Sequence, residues 1–185
     1  MDNQEIECRF LEIDKDKLLN KLLSLGGKDL GEKLLEETII YDPEGKWQDG
    51  NRFIRLRKVG DKIKLSYKEH RAYSVDGAYE IELEISDYDK AELLFEKIGL
   101  KAYRHQQKKR HTLELDGVTF DIDTWPRIPT YVELEGDSEN ALKNIAQKIG
   151  YKWENAEFHD AAWIIENKYH IPVRKMTWFR FDRFE

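Results

Sequence analysis

The feature that most constrains this chain is a strict alternation of charged and apolar residues that returns along almost its whole length. Successive side chains of an extended strand point to opposite faces, so Glu5, Glu7 and Arg9 share one face while Ile6, Cys8 and Phe10 share the other. The same reading sets Arg55 and Arg57 against Ile54 and Leu56, and Lys62, Lys64, Ser66 and Lys68 against Ile63, Leu65 and Tyr67. Glu80, Glu82 and Glu84 oppose Ile81, Leu83 and Ile85. Farther on, Lys108, Arg110 and Thr112 share a face, Asp121 and Asp123 oppose Phe120 and Ile122, and Glu133 and Glu135 oppose Val132 and Leu134. A period of two argues for strands, not helices.

An antiparallel sheet with one wet face also alternates. Here, however, seven of eight such segments put formal charge on the polar face, often at i, i+2 and i+4. Like charges about 6.5–7 Å apart on one strand face repel unless opposite charge lies between them. If the sheet closes with its apolar face outward under helices, the charged faces converge on a cavity. Carboxylates there suit hard divalent cations, and Arg and Lys suit phosphate oxygens. Burying such charge without partners costs several kcal/mol per ion, which favours a ligand over a solvated face.

The alternating segments predict eight strands, at roughly 4–10, 36–42, 51–58, 61–68, 78–85, 106–115, 118–124 and 130–135, joined by turn signals such as Val59-Gly60-Asp61 and Asp116-Gly117. Helical spacing after a capping residue and before a glycine predicts helices over Asp14–Gly26, Ser86–Gly99 and Asp137–Gly150, and a fourth over about 155–168. The endings Lys97-Ile98-Gly99-Leu100-Lys101 and Lys148-Ile149-Gly150-Tyr151-Lys152 suggest a duplicated half-fold. The expected fold is α+β: an eight-stranded antiparallel tunnel, closed or nearly so, with helices on the outside. Residues 1–185 are read as one domain, with the aromatic segment 171–185 packed on it.

Charged residues make up 37% of the 185-residue chain, beside 40% hydrophobic and 12% aromatic content, so a real core coexists with excess charge. A net charge of −6 makes nucleic acid an unlikely partner. The single cysteine, Cys8, excludes an intramolecular disulfide and any paired-thiol motif. The N-terminal residues carry no leader pattern and no apolar run approaches the ~20 residues that span a bilayer, so a cytoplasmic location without membrane contact is expected. His105, His111, His159 and His170 show no metal spacing and read as surface or packing residues. Trp125, followed by Pro126, reads as part of a stiff loop, with base stacking as the alternative. No GxGxxG or P-loop pattern occurs.

The ordered set of charged strands resembles a known family. Glu5-x-Glu7-x-Arg9 is similar to the N-terminal ExExK signature of the CYTH superfamily, the triphosphate tunnel metalloenzymes, which includes class IV adenylate cyclases and thiamine and inorganic triphosphatases. Arg55-x-Arg57, Lys64, Glu80-x-Glu82-x-Glu84, Lys108-x-Arg110, Asp121-x-Asp123 and Glu133-x-Glu135 follow in the family's order, from residue 5 to about 165. The resemblance implies that Glu5, Glu7, Glu133 and Glu135 hold Mg²⁺ or Mn²⁺, with Asp123 and Glu82 assisting. It implies that Arg9, Arg55, Arg57, Lys64, Lys108 and Arg110 bind the phosphates of a small-molecule triphosphate or nucleotide. Arg9, Glu82 and Asp123 are the residues it would place at the chemistry. Arg9 departs from the signature lysine. It keeps the charge but cannot act as an acid or base near neutrality.

The activity so implied is metal-dependent triphosphate hydrolysis, with ATP cyclisation as the alternative and non-catalytic polyphosphate or nucleotide binding as a third reading motivated by Arg9. A homodimer is the default assembly.

Overall fold

The computed structural model describes residues 4–49 and 52–185. Residues 1–3, at the start of the N-terminal segment, and Asn51, at the start of the strand expected at 51–58, lie outside the described residues.

The chain builds one antiparallel sheet that rolls into a nearly closed tunnel. Its strands are β1 (Gln4–Glu5), β2 (Glu7–Phe10), β3 (Lys28–Tyr41), β4 (Arg52–Val59), β5 (Lys62–His70), β6 (Ala78–Ile85), β7 (Lys101–Leu115), β8 (Val118–Thr124) and β9 (Tyr131–Glu135). They are hydrogen-bonded in the order β1-β6-β5-β4-β3-β7-β8-β9-β2. The path thus has nine strands where eight are expected, because the N-terminal strand is interrupted at Ile6. Before the interruption Glu5 pairs with Ala78 of β6; after it Glu7 pairs with Glu135 of β9. One short segment therefore forms both ends of the sheet and brings them together.

Two strands are longer than the alternation indicates. β3 begins at Lys28, well before residue 36, and β7 begins at Lys101, before residue 106. The extra half of β3 pairs with the far end of β7, where Lys28 faces Glu114 and Lys33 faces Arg110. This ladder carries little buried apolar side chain over residues 28–34, so no two-residue pattern marks it.

The helices cover the apolar outside. α1 (Lys15–Ser24) and α4 (Glu139–Ile149) lie over one half, where Leu22, Leu142, Ile145 and Ala146 pack with Phe120, Val132 and Leu134. α3 (Tyr88–Lys97) lies over the other, with Phe95 and Ala91 against Leu56, Ile40 and Ile54. Asp14, Asp87 and Ser138 cap them by accepting backbone N–H groups in the first turn. α3 and α4 end alike: Gly99 and Gly150 adopt φ of 91°, and Leu100 and Tyr151 donate back to Phe95 and Ala146. A short α2 (Lys46–Asp49) precedes β4.

The helix expected over about 155–168 is shorter. Arg9 and Glu157 form a two-way backbone bridge that keeps that stretch extended. Asp160 then caps α5 (Ala161–Asn167) through Trp163 N. Beyond it, β10 (Trp178–Phe179) runs parallel to β7, and Phe179 is buried among Trp125, Ile165, Val173 and Met176.

Candidate functional site

The tunnel encloses a cavity of about 940 Å³. Register across the strands sorts its lining into rungs. Lys64, Arg57, Glu37 and Gln106 form one; Ser66, Arg55, Ile39 and Arg104 form the next. On the other half Thr112, Asp121, Glu133 and Arg9 form a rung, beside Thr119, Glu135 and Glu7.

Most of the cations are clamped by carboxylates. Arg9 Nη2 lies 2.6 Å from Glu133 and 3.0 Å from Glu7, and its Nη1 donates to the His159 carbonyl at 3.0 Å. Arg55 donates to Glu80 at 2.7 Å and Arg57 to Glu37 at 2.6 Å. Lys108 reaches Asp123 at 2.7 Å, while Arg110 binds Asp123 through two nitrogens and also contacts Asp121 and Glu133. Asp123 is 0% exposed, so both of its oxygens are committed to these cations. Lys64 pairs with Glu82 at 2.5 Å, and both are about one-third exposed.

All twelve residues anticipated from sequence belong to the strands that wall the tunnel, and every one except Glu7 and Asp123 lines the cavity directly. Glu7 lies behind Arg9 and Lys68; Asp123 lies behind Lys108 and Arg110.

Several lining residues lie outside the set assigned from sequence: Glu37, Lys68, His70, Arg104, Asp121 and Asp160, although alternation already placed Lys68 and Asp121 on charged faces. Lys68 is the most central of them, 2.6 Å from Glu5, 3.4 Å from Glu80 and 3.8 Å from Glu7. It shares parity with Lys64, so alternation marked it, but only closure of the sheet shows that it sits where the two ends meet. His70 has no such signal.

Electrostatics separate two regions. Burial opposes ionisation of Glu37, but Arg57, Lys108 and Arg55 hold its carboxyl far below the usual range. Glu133 is likewise held well below its ordinary value against burial by Arg9, Arg110 and Lys108. The opposite holds for two carboxyls, Glu5 near the sheet closure and Glu135 at the mouth, whereas Arg9 and Lys68 hold Glu7 below its ordinary value against burial. Burial, helped by Glu7 and Glu80 against the pull of Lys68, pushes Glu5 up to about 8. Partial burial and then Glu133, Glu7 and Asp121 push Glu135 up.

Glu135, at the exposed mouth, has no ion pair among the described residues. Carboxyls crowded beyond what local cations neutralise supply oxygen donors suited to a hard divalent ion. Glu5 and Glu135 thus offer oxygen donors of the kind a hard divalent cation takes, although among the described residues no group of three His, Cys, Asp or Glu stands ready as a ligand set.

Trp125 donates through Nε1 to the Tyr131 hydroxyl at 2.9 Å, stacks on Phe179 and is 3% exposed, so it acts as a wall and not as a free stacking surface. Cys8 is wholly buried in the outer core, where burial pushes its thiol up to about 12.

The nearly closed antiparallel tunnel with inward rows of paired carboxylates and cations defines the class of α+β tunnel folds. The chain belongs to the CYTH domain family, whose model matches residues 3–158. It is 24% identical to a "Putative adenylate cyclase" of Methanocaldococcus jannaschii over 132 residues, 71% of this chain and 75% of that one. Among solved structures, a conserved hypothetical protein from Pyrococcus furiosus superposes with a TM-score of 0.71 at 25% identity, covering 85% of this chain and 97% of that one. A "putative adenylyl cyclase" from Hippeastrum, described as having a dominant triphosphatase activity, shares the fold with a TM-score of 0.63 at 15% identity, covering 90% of this chain and 96% of that one. No helix among the described residues is long and apolar enough to cross a membrane.

Proposed function

We propose that the protein is a divalent-metal-dependent phosphohydrolase acting on a triphosphate held inside the tunnel. The observation that carries this reading is the division of one cavity into a cation-rich wall and an under-neutralised carboxylate mouth. A metal-bound polyphosphate answers both. Arg9, Arg55, Arg57, Lys64, Lys108 and Arg110 would take phosphate oxygens, and the buried Nε atoms of Arg9 and Arg55, which lack acceptors among the described residues, mark donors not consumed by the fold. Glu5, Glu7, Glu133 and Glu135 would hold the metal. When bound, the metal would neutralise phosphate charge and lower the pKa of an attacking water.

Within this reading Asp123 and Glu37 set the cations in place before substrate arrives. Preorganised charge of this kind supplies much of the acceleration in phosphoryl transfer. Glu82, the partner of Lys64 at the more open side, would tune that lysine. Arg9 serves as a fixed positive charge.

ATP cyclisation is the second reading, favoured by the name carried by the Methanocaldococcus relative. The same side chains serve either reaction; substrate orientation decides which phosphorus is attacked. Incubation with Mg²⁺ or Mn²⁺ and ATP, inorganic triphosphate or thiamine triphosphate, followed by separation of products, tests both. Orthophosphate release supports hydrolysis, and cyclic AMP with pyrophosphate supports cyclisation. Tight binding without turnover under either metal would overturn both and leave a binding module.

A further inference from the structure

One cation in the tunnel is unlike the rest. Arg104 of β7 is 4% exposed and lines the cavity, yet it has no carboxylate partner among the described residues. Its Nε donates to Gln106 Oε1 at 2.7 Å and its Nη1 to the Val173 carbonyl at 3.2 Å. Nη2 has no protein acceptor among those residues. An isolated buried charge is costly, and a guanidinium that keeps a free edge toward a cavity is a donor waiting for an acceptor.

The side chain is held firmly. Gln106 passes its own N–H to Glu37 at 2.6 Å, and Glu37 binds Arg57, so a continuous chain ties Arg104 to the phosphate-facing wall. Its placement has a local cause. The pairing of β3 with β7 shifts between Ile39 and Ile40, so that Ile39 faces Arg104 but Ile40 faces Ala102. The irregularity turns Ala102 into the outer core while Arg104 remains the last inward residue of its strand.

The surroundings of Arg104 differ from those of the other tunnel cations. Ile39 lies on its rung and separates it from Arg55, Tyr41 and Phe53 stand next along β3 and β4 with ring centroids 6.4 Å apart, and Ile165 and Val173 close the wall beside Arg174, whose charge is taken up by Asp160 and Glu166. Ile165 and Val173 come from α5 and the segment after it, beyond residues 3–158 that match the family model. Apolar walls around one or two convergent donors suit a flat organic group bearing hydrogen-bond acceptors, and poorly suit another phosphate.

Building on the proposed triphosphate site, we infer that Arg104 is a specificity-determining residue that binds the base of a nucleoside triphosphate at this end of the tunnel. Nη2 donates to a carbonyl oxygen or ring nitrogen of the base, while the triphosphate lies toward Arg57 and Lys108. The substrate is then an organic triphosphate and not the inorganic ion alone.

The test is calorimetric titration of the full chain with inorganic triphosphate, ATP and GTP without divalent metal, so that turnover does not run, comparing wild type, Arg104→Met, Arg104→Lys and the outward-facing control Lys109→Met. The readout is the ratio of nucleotide affinity to inorganic triphosphate affinity. We expect ATP or GTP to bind the wild type more tightly than inorganic triphosphate. Arg104→Met should lower that ratio about tenfold or more, the scale of one charge-assisted hydrogen bond, and Lys109→Met should preserve it.

A ratio unchanged in Arg104→Met, or equal loss for all three ligands, overturns the inference and leaves Arg104 as a tie to Val173. If Arg104→Met does not fold, Arg104→Lys keeps the charge without the planar fork, and an unchanged ratio there is equally fatal. Failure of the wild type to bind inorganic triphosphate at all would instead overturn the triphosphate site itself.

Discussion

Lys68 Nζ lies 2.6 Å from Glu5, and this contact joins β5 to the N-terminal segment across the place where the sheet closes. The lysine also faces Glu7 and Glu80, so three carboxylates converge on one buried ammonium, Glu7 and Glu80 sharing it with Arg9 and Arg55. Replacing it with methionine keeps the bulk and removes the charge. Breaking a buried ion pair on one side costs about 3–5 kcal/mol, and we expect the metal-free Lys68→Met protein to melt correspondingly earlier. Added Mg²⁺ or Mn²⁺ should recover part of that loss, since a ligand at a hundredfold excess over its Kd contributes about 2.7 kcal/mol. Thermal melts with and without metal check both points; no loss of stability would remove Lys68 from the closure.

Glu133 and Glu135 occupy alternate positions on β9 but should behave differently. Glu133 is bound by Arg9 and Arg110, so Glu133→Gln takes one carboxylate from each of two buried guanidiniums, which keep Glu7 and the Asp121–Asp123 pair, and should cost about 2 kcal/mol in urea unfolding. Glu135 has no such partner, and Glu135→Gln should stay within about 0.5 kcal/mol of wild type. Both variants should lose metal-dependent turnover. Undiminished activity in both would sink the metal assignment.

Arg57→Ala removes a guanidinium oriented by Glu37 and facing the cavity. The expected result is a rise in KM of roughly 10- to 100-fold, matching one or two charge-assisted phosphate contacts, with a smaller change in kcat. Steady-state kinetics that leave KM unaltered would exclude Arg57 from the substrate site.

His70 gives a pH dependence of stability. Burial, with Lys68 and Arg9 adding to it against Asp160 and Glu7, holds its imidazole down to about 4, below its ordinary 6.5. The folded protein therefore refuses a proton that the unfolded chain accepts. The contribution is fully present above about pH 6.5 and is lost as pH falls toward about 4. Urea midpoints at pH 7, 6 and 5 should decline, and His70→Asn should flatten the part of that decline which histidine causes. An equal decline in the variant would contradict the assignment.

The sheet and the identity of most wall residues were legible because charge on one face and apolar residues on the other follow directly from strand geometry. The residues that escaped notice share a reason. Glu36 and Glu37 stand side by side, so alternation cannot say which faces in; the pairing of Glu37 with Gln106 and Arg57 decides it. Arg104 precedes the register shift at Ile39 and Ile40, where the run Lys101-Ala102-Tyr103-Arg104-His105 loses its period. The capped helices were placed within a few residues, because Asp14, Ser86 and Asp137 are chemical signals that lie at or one residue before the observed caps Asp14, Asp87 and Ser138. The stretch before α5 was not, because the Arg9–Glu157 bridge is made to a segment some 150 residues away.

The break at Ile6 gives the N-terminal strand the job of a clasp. Glu5 belongs to the half fastened to β6 and Glu7 to the half fastened to β9. Anything that draws these two carboxylates toward a common centre therefore pulls the two edges of the sheet together. On the proposed site, occupancy of the tunnel and the integrity of its wall would form a single equilibrium: a ligand held by both carboxylates would tighten the clasp, and loosening the clasp would release it.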